Sequence, residues 1–514
     1  MSPRPTFLSA RTAILVAAAL LAPGAAHAQT GALPPELDAY IAKALAEWEV
    51  PGMALAVVRH DSVLVARGYG VRELGKPGRV DENTVFDIAS LTKSFTAAGA
   101  AVLVDEGKLA WDDPVRRWLP WMEFPDAYLT REVTLRDLLS HRTGLEAANF
   151  AYRFTGIDRG ETLRQVRWMR PQAPFRTRQV YNNILYAAAG EVTAAAAGTT
   201  WAELMRTRLF QPLGMGSTTA EEEPDRAGNV ASPHAPIGGV QRPVRARNHQ
   251  AISPAGGVYS TAADMARWLR FQLADGVLDG RRVISAAAMA EMHHPWTVIP
   301  TTPEMRASRQ VEGYAGYGLG WNVMDYRGRP LLWHSGNSDG MPSYMAILPK
   351  DGIGVVVMLN SWGASVLHGE LVSRVLDTLL GLPTRDYSGE LMARTHEAER
   401  RAREAAARED SARVRGTRPT LPLDAYAGVY ADSLYGEIAV AREGEKLTLR
   451  MGKGEIADLE HWHHDTFRVL WRDDLFREYF STLVTFSLDA RPAPAMLGMR
   501  LNRDWIEARR RAAP

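Results

Sequence analysis

The chain has 514 residues, of which 46% are hydrophobic and 23% are charged, and its net charge is +1. This length exceeds what a single hydrophobic core organises, so we expect two or three domains. The balanced charge gives no reason to expect nucleic acid or an anionic membrane surface as a partner. The chain has no cysteine, which excludes disulfides, thiolate metal sites and a cysteine nucleophile.

The N-terminus has the pattern of an export signal. Arg4 and Arg11 precede the apolar run TAILVAAALLA, and the sequence AHA at 26–28 offers small residues for cleavage. The alternative is a retained membrane anchor, but the run is shorter than the roughly 20 apolar residues that a span needs. We therefore predict a cleaved signal peptide over residues 1–28, a secreted or periplasmic location, and no membrane span after cleavage.

The first elements after this segment are a helix, a hairpin and a second helix. Residues 34–48 carry apolar side chains at helical spacing, and residues 52–71 have the pattern of a β-hairpin. A further helix is predicted from Ser90 to about Glu106, where Gly107 suits the position that follows a helix end.

The middle of the chain is predicted to be mostly helical, and strands return after it. Thr134 and Thr261 each stand three residues before an aspartate, which is the spacing of a helix N-cap. Residues 317–336 return to strands, residues 343–360 form a second hairpin, and an amphipathic helix closes the region. Because strands lie at both ends of this region, we predict an α+β fold, with an antiparallel sheet flanked by helices and a helical insertion.

The C-terminal part of the chain has a different pattern. Residues 385–420 are charged and rich in alanine, which is typical of a helical linker. Residues 421–514 alternate in period two with frequent turns, which predicts a small all-β barrel or sandwich. We therefore expect a main domain over residues 29–384 that folds separately and keeps acyl transfer on small esters without the C-terminal β-domain, which is left to shape access for larger substrates.

The stretch FDIASLTKSF, residues 86–95, holds the first candidate catalytic pair. Ser90 and Lys93 lie one helical turn apart, and Lys93 is the only one of seven lysines with a serine three residues before it. A shared helix face without chemistry is the alternative interpretation. Arginine stays protonated in proteins, whereas lysine can lose its proton and serve as a base. A lysine retained here in an arginine-rich chain favours the catalytic interpretation.

Two further motifs fit the same chemistry. Tyr181-Asn182-Asn183 is the only Tyr-x-Asn in the chain, and His334-Ser335-Gly336 is the only His-x-Gly. Alone, each is more typical of a helix cap or of a strand end. Together they supply what a serine nucleophile needs. Lys93 is a base or a cation that stabilises a Tyr181 phenolate. Gly336 leaves a strand edge open to substrate, and the N–H of Asn337 completes an oxyanion hole.

Ser-x-x-Lys, Tyr-x-Asn and His-x-Gly in this order resemble the serine β-lactamase and penicillin-binding-protein superfamily. The resemblance spans residues 37–382 and is closest to the branch of class C β-lactamases, related esterases and D-amino-acid peptidases. It implies a β-lactamase/transpeptidase-like fold that needs no cofactor or metal and acts on a small-molecule or peptide substrate. It also implies roles for eight residues: Ser90 forms the acyl-enzyme, Lys93 and Tyr181 share acid and base work, and Asn183, His334, Ser335, Gly336 and Asn337 bind the substrate. The C-terminal part resembles the lipocalin-like domain of some of these hydrolases.

His334 decides which activity the resemblance implies. Many β-lactamases carry lysine at this position, and members with histidine are often esterases or peptidases. We therefore expect a carboxylesterase or D-amino-acid peptidase, with a true β-lactamase as the alternative. A non-catalytic penicillin-recognising sensor is the alternative of another class, but its expected mark is a damaged motif and all three motifs are intact. Assembly or carrier function through the β-domain is a third possibility, and the oligomeric state stays open.

Two other motifs suggest an alternative nucleophile and a metal site. Ser338 in GNSDG matches the nucleophile elbow of α/β-hydrolases, which requires a following helix, whereas a hairpin is predicted to follow here. His461 and His463 in HWHHD suggest a metal site, but no further ligand stands at a recognisable spacing, so a polar turn or an edge strand of the β-domain is the favoured interpretation. His141 is expected to be a structural histidine.

Overall fold

The structure is a computed structural model that describes residues 33–512, except positions 222–224, 226, 248, 304, 307–312 and 503. The predicted signal peptide over residues 1–28 lies outside the described residues. Within the described part of the chain, no helix is both long and apolar enough to span a bilayer.

The strands form one large sheet, one barrel and three small ribbons. In chain order they are β1 (Gly52–Arg59), β2 (Ser62–Gly70), β3 (Phe86–Asp87), β4 (Thr219–Ala220), β5 (His234–Ile237), β6 (Val240–Pro243), β7 (Val258–Ser260), β8 (Val277–Leu278), β9 (Arg281–Arg282), β10 (Thr297–Ile299), β11 (Ala315–Tyr317), β12 (Asn322–Tyr326), β13 (Arg329–Ser338), β14 (Met341–Leu348), β15 (Ile353–Leu359), β16 (Gly428–Asp432), β17 (Gly436–Glu443), β18 (Lys446–Met451), β19 (Ile456–His463), β20 (Thr466–Trp471), β21 (Thr482–Ser487), β22 (Met496–Leu501) and β23 (Asp504–Arg510). The large sheet is antiparallel with the order β10-β11-β12-β13-β14-β15-β1-β2, and β16 to β23 close into the barrel.

Helices fill the chain between the two ends of the large sheet and flank it. The α-helices are α1 (Pro35–Glu47), α2 (Thr92–Asp105), α3 (Val115–Trp118), α4 (Ala127–Glu132), α5 (Leu135–Leu139), α6 (Phe150–Arg153), α7 (Arg159–Arg164), α8 (Asn183–Ala197), α9 (Trp201–Met205), α10 (Ser253–Gly256), α11 (Ala262–Leu273), α12 (Ala286–His293), α13 (Leu367–Leu379), α14 (Tyr387–Ser411), α15 (Leu423–Tyr426) and α16 (Asp474–Tyr479). A 3₁₀ turn at Ala89–Leu91 leads directly into α2.

The central strands β1, β14 and β15 are buried on both faces of the sheet. Along β1, Ala54, Ala56 and Val58 pack into a core with the central helices. Met53, Leu55 and Val57 pack into a second core that includes α1 and α13. This explains why β1 reads as a continuous apolar run rather than an alternating one. Full burial of each large aliphatic side chain contributes about 1.5–3 kcal/mol.

The fold predicted from the sequence is confirmed. An antiparallel sheet flanked by helices is joined to a closed eight-stranded β-barrel. The two predicted helix caps are present: the Thr134 side chain accepts from the N–H of Asp137, and the Thr261 side chain accepts from the N–H of Asp264. Gly107 has a φ of 68°, as a residue just beyond a helix end commonly does.

His461 and His463, whose spacing suggested a metal site, lie in the barrel. Nε2 of His461 is 3.0 Å from the carbonyl oxygen of His464. Nδ1 of His463 accepts from the backbone N–H of Val414 at 3.3 Å. Both side chains make hydrogen bonds at the end of β19, where His461 and His463 pair with β20, so these histidines belong to a strand and not to a turn.

Candidate active site

Ser90 is presented by a sharp bend between β3 and α2. Ala89 has a φ of 46°, in the left-handed region that a residue with a side chain adopts at a cost. The bend is held from outside, because the Ala89 N–H donates to Oδ1 of Asp87 at 2.8 Å. The Ile88 N–H also donates to the carbonyl oxygen of Val258 at 3.1 Å. These bonds fix Ser90 at the start of the helical segment.

Lys93 is fully buried beneath Ser90. Its Nζ lies 3.2 Å from Oγ of Ser90, 2.7 Å from Oδ1 of Asn183 and 2.8 Å from the carbonyl oxygen of Ala255. No described acidic side chain forms an ion pair with this lysine, and burial lowers its pKa well below the usual range. Two of the three neighbours can only accept hydrogen bonds, so a neutral amine directs its lone pair at Ser90.

Tyr181 contacts Ser90 from the other side. Its hydroxyl donates to Oγ of Ser90 at 3.0 Å. Burial raises the pKa of Tyr181, and this effect outweighs the hydrogen bond with Ser90, which lowers it. Nζ of Lys93 lies 4.7 Å from the centre of the Tyr181 ring. The tyrosine is therefore a neutral phenol that donates a proton toward the serine.

The amide of Asn183 connects Lys93 to the helix α6. Its oxygen accepts from Lys93, and its Nδ2 donates to Oδ1 of Asn149 at 3.2 Å and to the hydroxyl of Tyr152 at 3.1 Å. Asn182 is the N-cap of α8, because its side chain accepts from the N–H of Leu185. The two asparagines of the motif thus do different work.

His334 lies on β13 and is almost completely buried. Its Nδ1 is 2.7 Å from the carbonyl oxygen of Ser335, and its Nε2 is 2.9 Å from the hydroxyl of Tyr317. The carbonyl only accepts, which assigns the ring proton to Nδ1, so Nε2 accepts from Tyr317. Burial is the largest cause that lowers the pKa of His334, to about 3. The imidazole is therefore neutral near pH 7.

Gly336 allows β13 to pack directly against the bend that carries Ser90. A Cβ at this position would overlap with the carbonyl oxygen of Ile88 and with Oγ of Ser343. The same Ser343 hydroxyl donates to the Ile88 carbonyl at 2.9 Å. The absence of a side chain thus lets the strand approach the nucleophile. Ser335 and Asn337, on either side of Gly336, line the same cleft as Ser90.

Asp87, His249 and Ser338 form a hydrogen-bonded cluster next to the bend, and the sequence patterns did not predict it. Nε2 of His249 lies 3.1 Å from Oδ2 of Asp87 and 2.9 Å from Oγ of Ser338. Burial lowers the pKa of His249, but the charge of Asp87 and its hydrogen bond raise it more, so the net shift is upward. Asp87 and His249 are 162 residues apart, and no short motif joins them.

The same cluster shows whether Ser338, the alternative nucleophile, has the partners of an activated serine. Ser338 ends β13 and is followed by β14, not by the helix that a nucleophile elbow requires. Asp87 and Ser338 also share one nitrogen of His249, whereas a Ser-His-Asp triad uses both ring nitrogens. Ser338 therefore lacks the geometry of an activated serine.

His141 packs beneath the site. Its ring centre is 4.3 Å from that of Tyr181 and 4.8 Å from that of Tyr317. Its Nδ1 accepts from the N–H of Asn182 at 3.2 Å. Burial lowers the pKa of His141 well below its usual range. These contacts support the structural interpretation of this histidine.

Ser90 opens into a cleft of about 1390 Å³ that the barrel helps to enclose. The main sheet and its helices contribute Tyr181 and Asn183, along with the β13 residues. The barrel part of the chain contributes a wall: Lys453, Gly454, Glu455, Phe480 and Asn502. From the sequence, the β-domain was expected to lie apart from the catalytic motifs. Its contacts with the cleft join segments that are far apart in the chain, so no local sequence pattern predicts them.

Two family models match the chain. One, described as beta-lactamase, matches residues 37–379 and so contains the Ser90, Tyr181 and His334 motifs. The other, described as a domain of unknown function (DUF3471), matches residues 412–510, which include all strands of the barrel.

Several known proteins are similar over most of their length. The unguisins hydrolase ungD of Aspergillus violaceofuscus (strain CBS 115571) is 28% identical over 446 residues, covering 78% of this chain and 76% of that protein. Penicillin-binding protein 4 of Amycolatopsis lactamdurans is 32% identical over 346 residues, covering 65% and 87%. The D-alanyl-D-alanine-carboxypeptidase/endopeptidase AmpH of Escherichia coli (strain K12) is 27% identical over 322 residues, covering 60% and 79%.

A solved structure shares the fold of nearly the whole chain. The octameric penicillin-binding protein homologue from Pyrococcus abyssi aligns with a TM-score of 0.60 at 22% identity, covering 92% of this chain and 99% of that one. At this identity the likeness concerns the fold alone.

Proposed function

Because residues 37–379 match its model, this chain belongs to the beta-lactamase family, and we propose that it is an exported serine hydrolase that forms an acyl-enzyme on Ser90. The observation that carries the proposal is the convergence of a buried lysine and a tyrosine hydroxyl on one serine oxygen. Export rests on the basic and apolar pattern of the N-terminus and the AHA sequence that follows it.

The acylation step uses Lys93 as the base. The Ser90 O–H passes its proton to the lone pair of Lys93 Nζ while Oγ forms a bond to the carbonyl carbon of the substrate. The carbonyl π electrons move to oxygen, and the backbone N–H groups of Ser90 and Asn337 stabilise that charge. This assignment follows from the low pKa of Lys93 and from the acceptor-only nature of Ala255 O and Asn183 Oδ1.

The leaving group departs with a proton from Tyr181. As the carbonyl forms again, the bond to the leaving group breaks and the Tyr181 O–H protonates it. The proton held by Lys93 then returns to the tyrosine oxygen, which restores both groups. Deacylation runs the same steps in reverse, with a water in the place of the leaving group and Ser90 as the group released.

The proposed substrate class is an ester or an amide, with a carboxylester or a D-amino-acid peptide preferred over a β-lactam. His334 is neutral near pH 7 and its two ring nitrogens already have partners. It therefore offers no permanent cation to a β-lactam carboxylate, an interaction worth roughly 1.5–3 kcal/mol. AmpH, a relative of this chain, is by its name a D-alanyl-D-alanine-carboxypeptidase/endopeptidase.

A small substrate panel tests this function. We expect p-nitrophenyl esters or D-amino-acid amides to be hydrolysed with kcat/KM about ten- to a hundredfold above that of a chromogenic cephalosporin at pH 8. Efficient cephalosporin turnover by the unaltered chain would make it a β-lactamase. Hydrolysis of none of these compounds, with stoichiometric penicillin binding, would support the sensor alternative.

His334→Lys is the matched variant for the panel. The ordinary pKa of lysine lies about four units above that of histidine, so lysine holds a proton here more readily, and kcat/KM should rise selectively for substrates that carry a carboxylate. Neutral esters should change little, because they gain no charge-assisted hydrogen bond. A variant that leaves the ratio between the two substrate classes unchanged would exclude His334 as the residue that sets it.

A further inference from the structure

The orientation of the Asn183 amide matters to the base. An amide has an acceptor end and a donor end, and only the acceptor end faces Lys93. If the amide were turned, its NH₂ group would donate to the lone pair of a neutral Lys93. That lone pair must stay open to receive the proton of Ser90.

Asn149 and Tyr152 fix this orientation. The amide Nδ2 of Asn183 donates to both of them, and the Tyr152 hydroxyl donates in turn to Oδ1 of Asn149 at 3.3 Å. Asn149 and Tyr152 together accept two hydrogen bonds from Asn183. Only the NH₂ end of the Asn183 amide can donate them, because its oxygen has no hydrogen to give. Burial raises the pKa of Tyr152, so its hydroxyl remains protonated.

Asn149 and Tyr152 belong to the short helix α6 and its N-cap, and the local sequence alone does little to stabilise this helix. Helix α6 has four residues, too few to be stable alone. Its first N–H, from Phe150, donates to Oδ2 of Asp504 in the barrel at 3.3 Å. The Phe154 ring just beyond it stacks on that of Phe476 with centres 4.3 Å apart. The barrel therefore supplies much of the packing around α6.

A tight turn between β18 and β19 is hydrogen-bonded to the residues that follow α6. The Lys453 N–H donates to the carbonyl oxygen of Thr155 at 2.9 Å, and the Glu455 N–H donates to that of Phe154 at 3.0 Å. A Cβ on Gly454 would overlap with the Phe154 carbonyl oxygen. Glycine here permits two backbones from distant parts of the chain to touch.

Buried charges reinforce the same contact. Asp339, which is 4% exposed and directly follows β13, pairs with Arg153 of α6 and with Arg247 at 3.2 Å. Arg247 also pairs with Glu455 at 3.0 Å and with Asp473 at 2.8 Å, both in the barrel part of the chain. One network thus joins α6, the end of β13 and the barrel.

We propose that the C-terminal barrel is a positioning element of the active site. Through its Gly452–Glu455 turn and its aromatic side chains it holds α6, so that Asn149 and Tyr152 keep the oxygen of Asn183 on Lys93. Asn149 and Tyr152 are positioning residues, and the inference rests on the proposed role of Lys93 as the base. It differs from the sequence-based expectation that the main domain acts without the barrel.

Gly454→Ala in the full chain is the first test, because its added methyl group meets the backbone of Phe154 and Gly156, the segment that follows α6. Gly454 does not have a positive φ, so alanine introduces no backbone strain there. We expect the acylation rate of Ser90 by a small p-nitrophenyl ester to fall about tenfold. The acid limb of its pH profile should move to lower pH, since an amide N–H facing Lys93 favours the neutral amine.

Gly498→Ala is the matched control. Gly498 also lies in the barrel, in β22, and its added Cβ would meet only the partly exposed ring of Trp505. This variant should acylate at the native rate with an unchanged pH profile. Equal losses in both variants would mean that any disturbance of the barrel lowers the rate, and that would overturn the proposal.

Tyr152→Phe tests the other end of the path without changing the packing. It removes one acceptor for Asn183, and we expect a similar fall in rate and the same movement of the acid limb. In the double variant with Gly454→Ala the losses should combine to less than their product, because both act through one amide. Fully multiplicative losses, or a native rate in Gly454→Ala with a lowered Tm, would overturn the proposal.

Ser90→Ala separates this inference from the function on which it rests. If fluorophosphonate labelling is lost in Ser90→Ala while Gly454→Ala behaves as the control does, the barrel inference fails and the serine mechanism stands. If labelling persists in Ser90→Ala, the serine mechanism itself fails.

Discussion

Ser90 Oγ has two neighbours with opposite chemical roles. Lys93 can take its proton and Tyr181 donates to it. The burial of Lys93 explains why the chain keeps a lysine here, because an arginine would stay charged and could not accept the proton. The motif could be predicted from the sequence, but the assignment of the two roles needed the partners of each group.

Lys93→Arg and Tyr181→Phe should each slow acyl transfer by about 10²-fold or more, the scale of general acid–base catalysis. Lys93→Arg keeps a positive charge and loses the base, and Tyr181→Phe keeps the ring and loses the proton donor. Single-turnover rates with a p-nitrophenyl ester measure both effects.

The double variant distinguishes one unit from two independent groups. We expect losses well short of additive in free energy, because the proton passes through both residues. Near-native rates in both single variants would mean that neither group acts on Ser90 during the reaction.

At the scale of elements, local rules predicted local structure. The capping residues Thr134 and Thr261 and the hairpin over residues 343–360 obey patterns that lie within a few residues of each other. The bend at Ala89 could not be predicted this way. Its positive φ is held by Asp87, which is held in turn by His249 from a distant part of the chain.

His249 makes the stability of this bend depend on pH. Its pKa in the folded chain lies above the ordinary value of about 6.5, so its contribution to stability is complete below about pH 6.5. The contribution is lost as the pH rises through the folded pKa. Asp87, Ser338, Asp339 and Arg153 are the polar and charged groups that act on this imidazole.

His249→Gln isolates this effect, because glutamine keeps a polar group and cannot carry the charge. The difference in free energy of unfolding between the native chain and the variant should shrink between pH 6 and pH 9. The change should be about 1.4 kcal/mol for each unit by which the pKa is raised. The other histidines are common to both proteins and cancel in this comparison. A difference that stays constant with pH in denaturant unfolding would exclude the charged form of His249.

For the whole molecule, the fold class and the barrel could be predicted from hydrophobic patterns, since the apolar runs of the sheet and the period-two alternation of the barrel each lie within single strands. The joining of barrel and catalytic cleft could not. Asp504 reaches Phe150 across 354 residues, and Asn149 and Tyr152 belong to no motif. Such residues come close to the catalytic motifs only when the chain has folded. The sequence therefore predicted the motifs of Ser90, Tyr181 and His334, but not the residues that surround them.

Intact-mass spectrometry after exposure to a slow ester or β-lactam shows whether Ser90 carries the acyl group. We predict a single adduct on the native chain, the same adduct on Ser338→Ala, and none on Ser90→Ala. An adduct that persists in Ser90→Ala and disappears in Ser338→Ala would contradict this account and move the chemistry to the end of β13.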